Sequence, residues 1–450
     1  MNFSLRFPAV LLVIVCTIVT GCSHFDEKPE ENDPDSAPFA GYEVEHRTAP
    51  PLPGDLQVPA TVAEAAWVWE GPETSRLLAV HATPSGAVLE LDNGVIGLDT
   101  LSGETAWSFL LPEVSGDDVG TDAAVSPDGT VAAFTAGRAL VLLDTATGEE
   151  LLRSDRDGTG TGSFSIDGAG LVHSTGLLTA QAGPELRVTL TSWEEGTTAW
   201  ENTLPACSDS QQAVISSGVV TARQAAVVFE CPGESSTVVG LDLDDGEEMW
   251  RFREGRDYHG GGAVFPPASS EDLGFGAVGD LLVLQNISHE RGTVVINAEA
   301  GRVVADALPS TPENALLRVL PDGYLAAISA GAEEGPVTYE FREFDGTVRN
   351  RLETTTDVAR GHVNNFLVLD EALLKLRMVE EGEEQDMAVF DWESGEEYRV
   401  TVPVGVDTTE ILSVAQVDQE VGPSTFRAVP GAVLLREYPA SAVPRLAGFR

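Results

Sequence analysis

The side chains in this sequence that could carry chemistry are few in kind and scattered in place. Cysteines stand at 16, 22, 207 and 231. A thiolate acts as nucleophile or ligand only beside a base, a cation or a metal. The histidines, His24, His46, His81, His173, His259, His289 and His362, form no H-x-x-x-H pair and no Cys/His cluster, so no zinc ligand set is visible. Acidic residues are too abundant for any one to stand out as a general base. "DRDGTG" (155–160) and "DLDDGEE" (242–248) resemble fragments of calcium loops. Neither sets its glycine and terminal carboxylate at EF-hand spacing. No G-x-S-x-G elbow, Walker loop or kinase motif set occurs. The expectation is therefore no catalytic residue, no metal and no cofactor.

One segment is different. "REGRDYHGGGAVFPPASSEDLG" (253–274) places Arg256, Asp257, Tyr258 and His259 beside three glycines that would let a backbone or ligand approach. It is the candidate binding loop. The other reading is an ordinary long connection with glycine at its entry.

The chain that positions these groups has 450 residues, 42% of them hydrophobic, and carries 72 acidic against 26 basic residues, a net charge of −46. A surface this acidic repels phosphate backbones, so nucleic acid is not an expected partner. Residues 1–21 read as a lipoprotein signal peptide: a short charged start, then the apolar run "FPAVLLVIVCTIVT" (7–20). "VTGC" (19–22) resembles a bacterial lipobox, which implies cleavage before Cys22 and lipid on its sulfur. Two acyl chains suffice for stable anchoring. Residues 22–61 are rich in Pro and acid, with few apolar side chains to offset ordering entropy, and are expected to form a disordered tether. In an exported protein the remaining cysteines, Cys207 and Cys231, are expected to pair.

Residues 62–450 repeat one phrase. "VIGLDTLSGETAWSF" (95–109) returns as "LVLLDTATGEELLRS" (140–154), "VVGLDLDDGEEMWRF" (238–252) and "MAVFDWESGEEYRV" (387–400). The hairpin glycines are Gly103, Gly148, Gly196, Gly246, Gly301, Gly346 and Gly395, spaced 45 to 55 residues apart; the copies at Gly301 and Gly346 are the weakest. In each copy a β-branched apolar run forms a buried strand, and an Asp such as Asp99 or Asp242 caps the turn. The next strand then returns, carrying Trp107, Trp200 or Trp250 four residues after its glycine. Burying one indole removes ~150–250 Å² from water, which suits a wedge between sheets. Two further strands precede each hairpin, for example "RLLAVHA" (76–82) and "AVLELDN" (87–93). Four strands at this period read as a propeller blade.

The D-x-x-x-G-E-x-x-W pattern at Asp99–Trp107 and Asp242–Trp250 resembles the repeat of the PQQ-like, quinoprotein-type β-propellers. The resemblance covers roughly residues 62–440. It implies an all-β propeller of four-stranded antiparallel blades. Eight are expected, with seven as the alternative. "AEAAWVWEG" (63–71), with Trp67 or Trp69 as its wedge, would supply the outer strand missing from three short strands expected in 411–438. Such pairing hides the sheet edges. The family includes quinone-dependent dehydrogenases and non-enzymatic lipoproteins of the BamB type. The dehydrogenases use adjacent disulfide-bonded cysteines, a Trp floor under the quinone, and Glu, Asn and Asp around calcium; this chain has no Cys-Cys pair. The expectation is a monomeric, lipid-anchored, extracytoplasmic propeller at the cell membrane, binding a protein partner or envelope component. The alternatives are a PQQ-dependent oxidoreductase and a glycan- or cell-wall-binding propeller.

Overall fold

Eight four-stranded antiparallel sheets follow one another along the chain in a computed structural model. It describes residues 39, 41–54, 56–114, 121–137, 139–155, 170–181, 183–194, 196–207, 212–257, 276–285, 293–308, 314–329, 337–354, 366–376, 385–403, 426–436 and 443–450. Residues 1–21, expected above to be a signal peptide, and Cys22, Tyr258 and His259 lie outside them.

Blade 1 is built from Leu77–Thr83, Gly86–Leu91, Gly94–Asp99 and Glu104–Leu110, inner to outer. Blades 2 to 7 repeat that order, beginning at Thr121, Gly170, Val214, Gly276, Asn314 and Phe366. Blade 8 joins the two ends of the chain. Phe426–Val429, Ala432–Arg436 and Arg445–Phe449 supply three strands, and Ala65–Glu70 pairs with the last as the outer strand. The ring of eight blades is thus closed by an N-terminal strand. The third tail strand, expected before residue 438, instead lies at Arg445–Phe449. Pro439 and Pro444 sit in the stretch before it, where a missing N–H cannot serve a central ladder.

The core is divided among the seams. Between blades 1 and 2, Val95, Trp107 and Phe109 meet Phe134, Val141 and Leu143; between blades 3 and 4, Leu186 and Val188 meet Val227, Phe229 and Leu241. Equivalent clusters fill the other six seams. Strand alternation explains the division. Along Ala139–Asp144, Leu140 and Leu142 face blade 3, whereas Val141 and Leu143 face blade 1. A middle strand buried on both sides reads as a continuous apolar run, which is the spelling of "LVLL" and "VVGL".

The outer hairpins follow from their acidic residue. The Asp144 carboxylate accepts the N–H groups of Ala146 and Thr147, while its carbonyl accepts Gly148 N–H at 2.8 Å. Asp391 repeats this with Ser394 and Glu393, and those bonds, the Ser394 N–H first, hold its carboxyl below the usual carboxylate range. A depressed folded-state pKa gives stabilisation that is present above the ordinary carboxylate pKa and lost as pH falls through the lowered one. The advantage of wild type over Asp391→Asn in urea midpoint is therefore expected to hold near neutrality and to shrink below about pH 4. An advantage independent of pH would contradict this.

Residues 41–61 are not a disordered tether. Glu45–Arg47 pairs antiparallel with Glu104–Leu110, giving blade 1 a fifth strand. His46 Nε2 donates to Gly148 O at 2.7 Å, and the N–H groups of Ala49 and Leu52 reach Thr147 O and Ala146 O. The chain then accepts Gly431 N–H at Gln57 O and Glu371 N–H at Ala60 O, and Tyr398 donates to Val62 O. The described residues of 39–64 therefore form a strap that meets blade 1, then blade 2, then blades 8 and 7. The composition misleads because the strap is held by backbone bonds, which any residue with an N–H or C=O can supply.

Candidate partner-binding surface

An antiparallel blade places its first and third connections at one end and its second connection, with the link to the next blade, at the other. The first end carries short turns fixed by the Asp, glycine and indole set. The strap crosses it at blades 2, 8 and 7. At the opposite end lie the strand ends that the longest stretches of sequence join, Arg253 and Gly276 of blades 4 and 5 and Thr401 and Phe426 of blades 7 and 8. Loops held on a rigid frame are where binding residues concentrate.

The tryptophans belong to the frame. Trp67, Trp107, Trp200 and Trp250 each donate their indole N–H to the next blade's turn, at Thr100 O, Thr145 O, Leu243 O and Ala298 O, 2.8–3.0 Å away. Each ring also lies over that turn's glycine: Gly103, Gly148, Gly246 and Gly301 respectively. Three turns receive no such indole, and their glycines, Gly196, Gly346 and Gly395, have open space around them. There the turn supplies its own aromatic residue. Trp193 donates to His173 O, Trp392 to Leu369 O, and Phe344 packs on the blade 5–6 cluster. Trp69 donates to Thr105 Oγ1. All seven indole N–H groups are thus engaged in packing the ring.

The Asp99 and Asp242 carboxylates bond to their own turns, as their spacing leads one to expect. Of the candidate loop, Arg256 and Asp257 are described. The Arg256 guanidinium bonds to Asp257 at 2.8 Å and holds its carboxyl below the usual carboxylate range, while Asp257 caps Arg253 N–H. The pair thus shapes a turn at the loop's entrance.

Cys207 and Cys231 form a disulfide with Cα atoms 5.6 Å apart. It joins the exit of blade 3 to the second connection of blade 4, beside the candidate loop's face. On the chain-entropy account it contributes about 3–4 kcal/mol. The double variant Cys207→Ser/Cys231→Ser is expected to lose about that much in denaturant unfolding, and reductant is expected to move wild type but not the variant. Identical wild-type midpoints with and without reductant would contradict this.

A polar group on blade 1 was not legible in the sequence. His81 and Glu90 lie 3.0 Å apart, and buried Asp92 holds both the backbone and the side chain of Arg76. Asp92 O accepts Thr121 Oγ1–H from blade 2, so the group locks the seam near the inner strands. Period-2 spacing puts His81 and Glu90 on strands, but only the register that pairs His81 with Val88 and Ala79 with Glu90 sets them on one face. Among the described residues no three His, Cys, Asp or Glu side chains converge to hold a metal.

A family profile described as "Outer membrane protein assembly factor BamB" matches residues 91–317. No curated protein sequence matches the chain. Among solved structures it is similar to BamB from Moraxella catarrhalis, with 14% identity over 86% of this chain and 99% of that one, at a TM-score of 0.42. It is also similar to the computationally designed protein Ika8, with 11% identity over 87% and 100% at a TM-score of 0.47. A third is the quinohemoprotein alcohol dehydrogenase from Comamonas testosteroni, with 13% identity over 88% and 76% at 0.39.

Proposed function

Because the chain belongs to the PQQ-like β-propeller family described as outer membrane protein assembly factor BamB, we propose that it is a non-catalytic scaffold. In this reading it is anchored through lipid on Cys22 at the extracytoplasmic face of a membrane and binds a protein partner of the envelope. The observation that carries the reading is the use of the aromatic residues. A quinone site of the dehydrogenase kind needs a Trp face free for the cofactor. Here every indole donates its N–H within the ring and packs at a seam or turn. A rigid frame with long connections at one end offers loops on which binding residues can be set without disturbing the core.

The face away from the strap is the binding face in this proposal. The chain's net charge of −46 favours a partner with basic or neutral contact surfaces. The test has two arms. Crosslinking in the protein's own cells, followed by isolation of the lipidated chain, is expected to recover a defined envelope protein. Incubation of the purified propeller with calcium and pyrroloquinoline quinone is expected to leave no bound chromophore and no dye reduction with alcohols or sugars. A stoichiometric chromophore with turnover would overturn the proposal.

A further inference from the structure

The strap does more than cover turns: it holds Phe39, the first described residue, in one seam of the ring. Phe39 is 5% exposed and sits in the seam between blades 1 and 2. Its ring lies 5.4 Å from Phe109, edge to face, and 6.5 Å from Phe134, stacked. The Arg153 guanidinium lies over it at 5.5 Å. Phe39 is also the one described non-glycine residue with positive φ, +64°. A bulky side chain in that region is a conformational outlier, held there by what surrounds it. Just downstream, Glu45–Arg47 pairs with blade 1 and His46 bonds to blade 2. The docking is thus a plug, a strand and a set of turn bonds.

We propose that this docking orients the propeller on its membrane: blades 1 and 2 face the lipid surface, and blades 5 and 6, across the ring, stand away from it. The inference rests on lipid attachment at Cys22. Sixteen residues separate Cys22 from Phe39, and whatever their conformation they let the two lie no more than about 60 Å apart. Were the strap free as far as Ala65, the reach would be about 150 Å and any edge of the ring could approach the bilayer. Docked, the anchor pulls on one seam only. The net charge of −46 repels the body from anionic headgroups, so the anchored edge is the point of nearest approach. The connection between blades 4 and 5, with Arg256 and Asp257 at its start, then lies on the half turned away from the membrane. A partner meeting that loop comes from beyond the bilayer.

Energy transfer tests this. The full lipidated chain, bound to phosphatidylcholine vesicles with an acceptor dye on a headgroup, carries a donor by click chemistry at position 113 or 302. Glu113 follows blade 1 and Arg302 is on blade 5, and both are exposed. Transfer from 113 is expected to exceed transfer from 302 by about twofold or more. Phe39→Ser with His46→Ala is expected to collapse the difference. So is a thirty-residue Gly/Ser insertion before Phe39, which leaves the strap docked and the ring intact. Equal transfer from the two positions, or a difference that survives both changes, overturns the orientation. Flotation with the vesicles reads the anchor separately. A chain that does not float overturns the lipid reading, and the orientation is then read on the same chain with a synthetic diacyl group coupled to Cys22.

Discussion

Trp107→Ala is expected to destabilise the ring by about 3–5 kcal/mol, the largest effect of any single substitution at an outer strand. Trp107 is 0% exposed. Its ring lies between Gly97 on its own blade and Gly148 on the next, and its N–H reaches Thr145 O at 2.8 Å. Truncation leaves a cavity at the seam, because rigid sheets on both sides relax little. It also removes the donor from a buried carbonyl. Trp107→Phe keeps most of the apolar contact and loses the N–H, so about 1–3 kcal/mol is expected. Leu151, three residues past its glycine on an outer strand, is 54% exposed, and Leu151→Ala is expected to change stability by less than about 0.5 kcal/mol. Urea midpoints with unchanged slopes measure all three. Equal losses for Trp107→Ala and Leu151→Ala would show that the indole is not a wedge.

Gly148→Ala against Gly395→Ala isolates the same contact from the other side. The two residues share a turn and nearly the same backbone, φ +69° and +71°. Both variants therefore bear the left-handed penalty of an L side chain, about 1–2 kcal/mol. They differ in what a Cβ would meet. At Gly148 it would lie 2.6 Å from Trp107 Cγ, and at Gly395 nothing lies within 4 Å. Gly148→Ala must also displace a buried indole, so it is expected to cost about 1–3 kcal/mol more than Gly395→Ala. Near-UV circular dichroism is expected to register that displacement in Gly148→Ala alone. Equal losses in the pair would place the whole effect in the backbone and contradict the interlocking of neighbouring blades.

The contrast between these glycines marks what the sequence revealed and what it hid. The phrase from Asp99 to Trp107 is legible because each residue has a local job: the Asp caps, the glycine bends, the indole returns. Its repetition led directly to blades, and Ala65–Glu70 was legible as the outer strand that closes them. The alternative packing at Gly196, Gly346 and Gly395 was not, because its signal sits elsewhere. Where the preceding blade lacks a wedge, an aromatic residue stands inside the turn as Trp193, Phe344 or Trp392, in place of the smaller Thr100, Thr145, Leu243 or Ala298. Reading the residues after the Asp position together with the fourth after the glycine would have found it. The strap was hidden for a different reason. Its bonds are made by backbone groups, and its single plug, Phe39, is one apolar residue in an acidic, proline-rich stretch. His81 with Glu90 needed the strand register, which spacing alone does not give.

The central claim, that the face away from the strap receives a protein partner, is tested most directly by photocrosslinking in the protein's own cells. A photoreactive residue is placed in turn at Ser235 and Arg256 on the long-connection face of blade 4, and at Ser102 and Glu393 in the short turns. The account predicts one discrete crosslinked protein from the first pair and none from the second. Crosslinks confined to the turns, or an equal smear from all four positions, would contradict it.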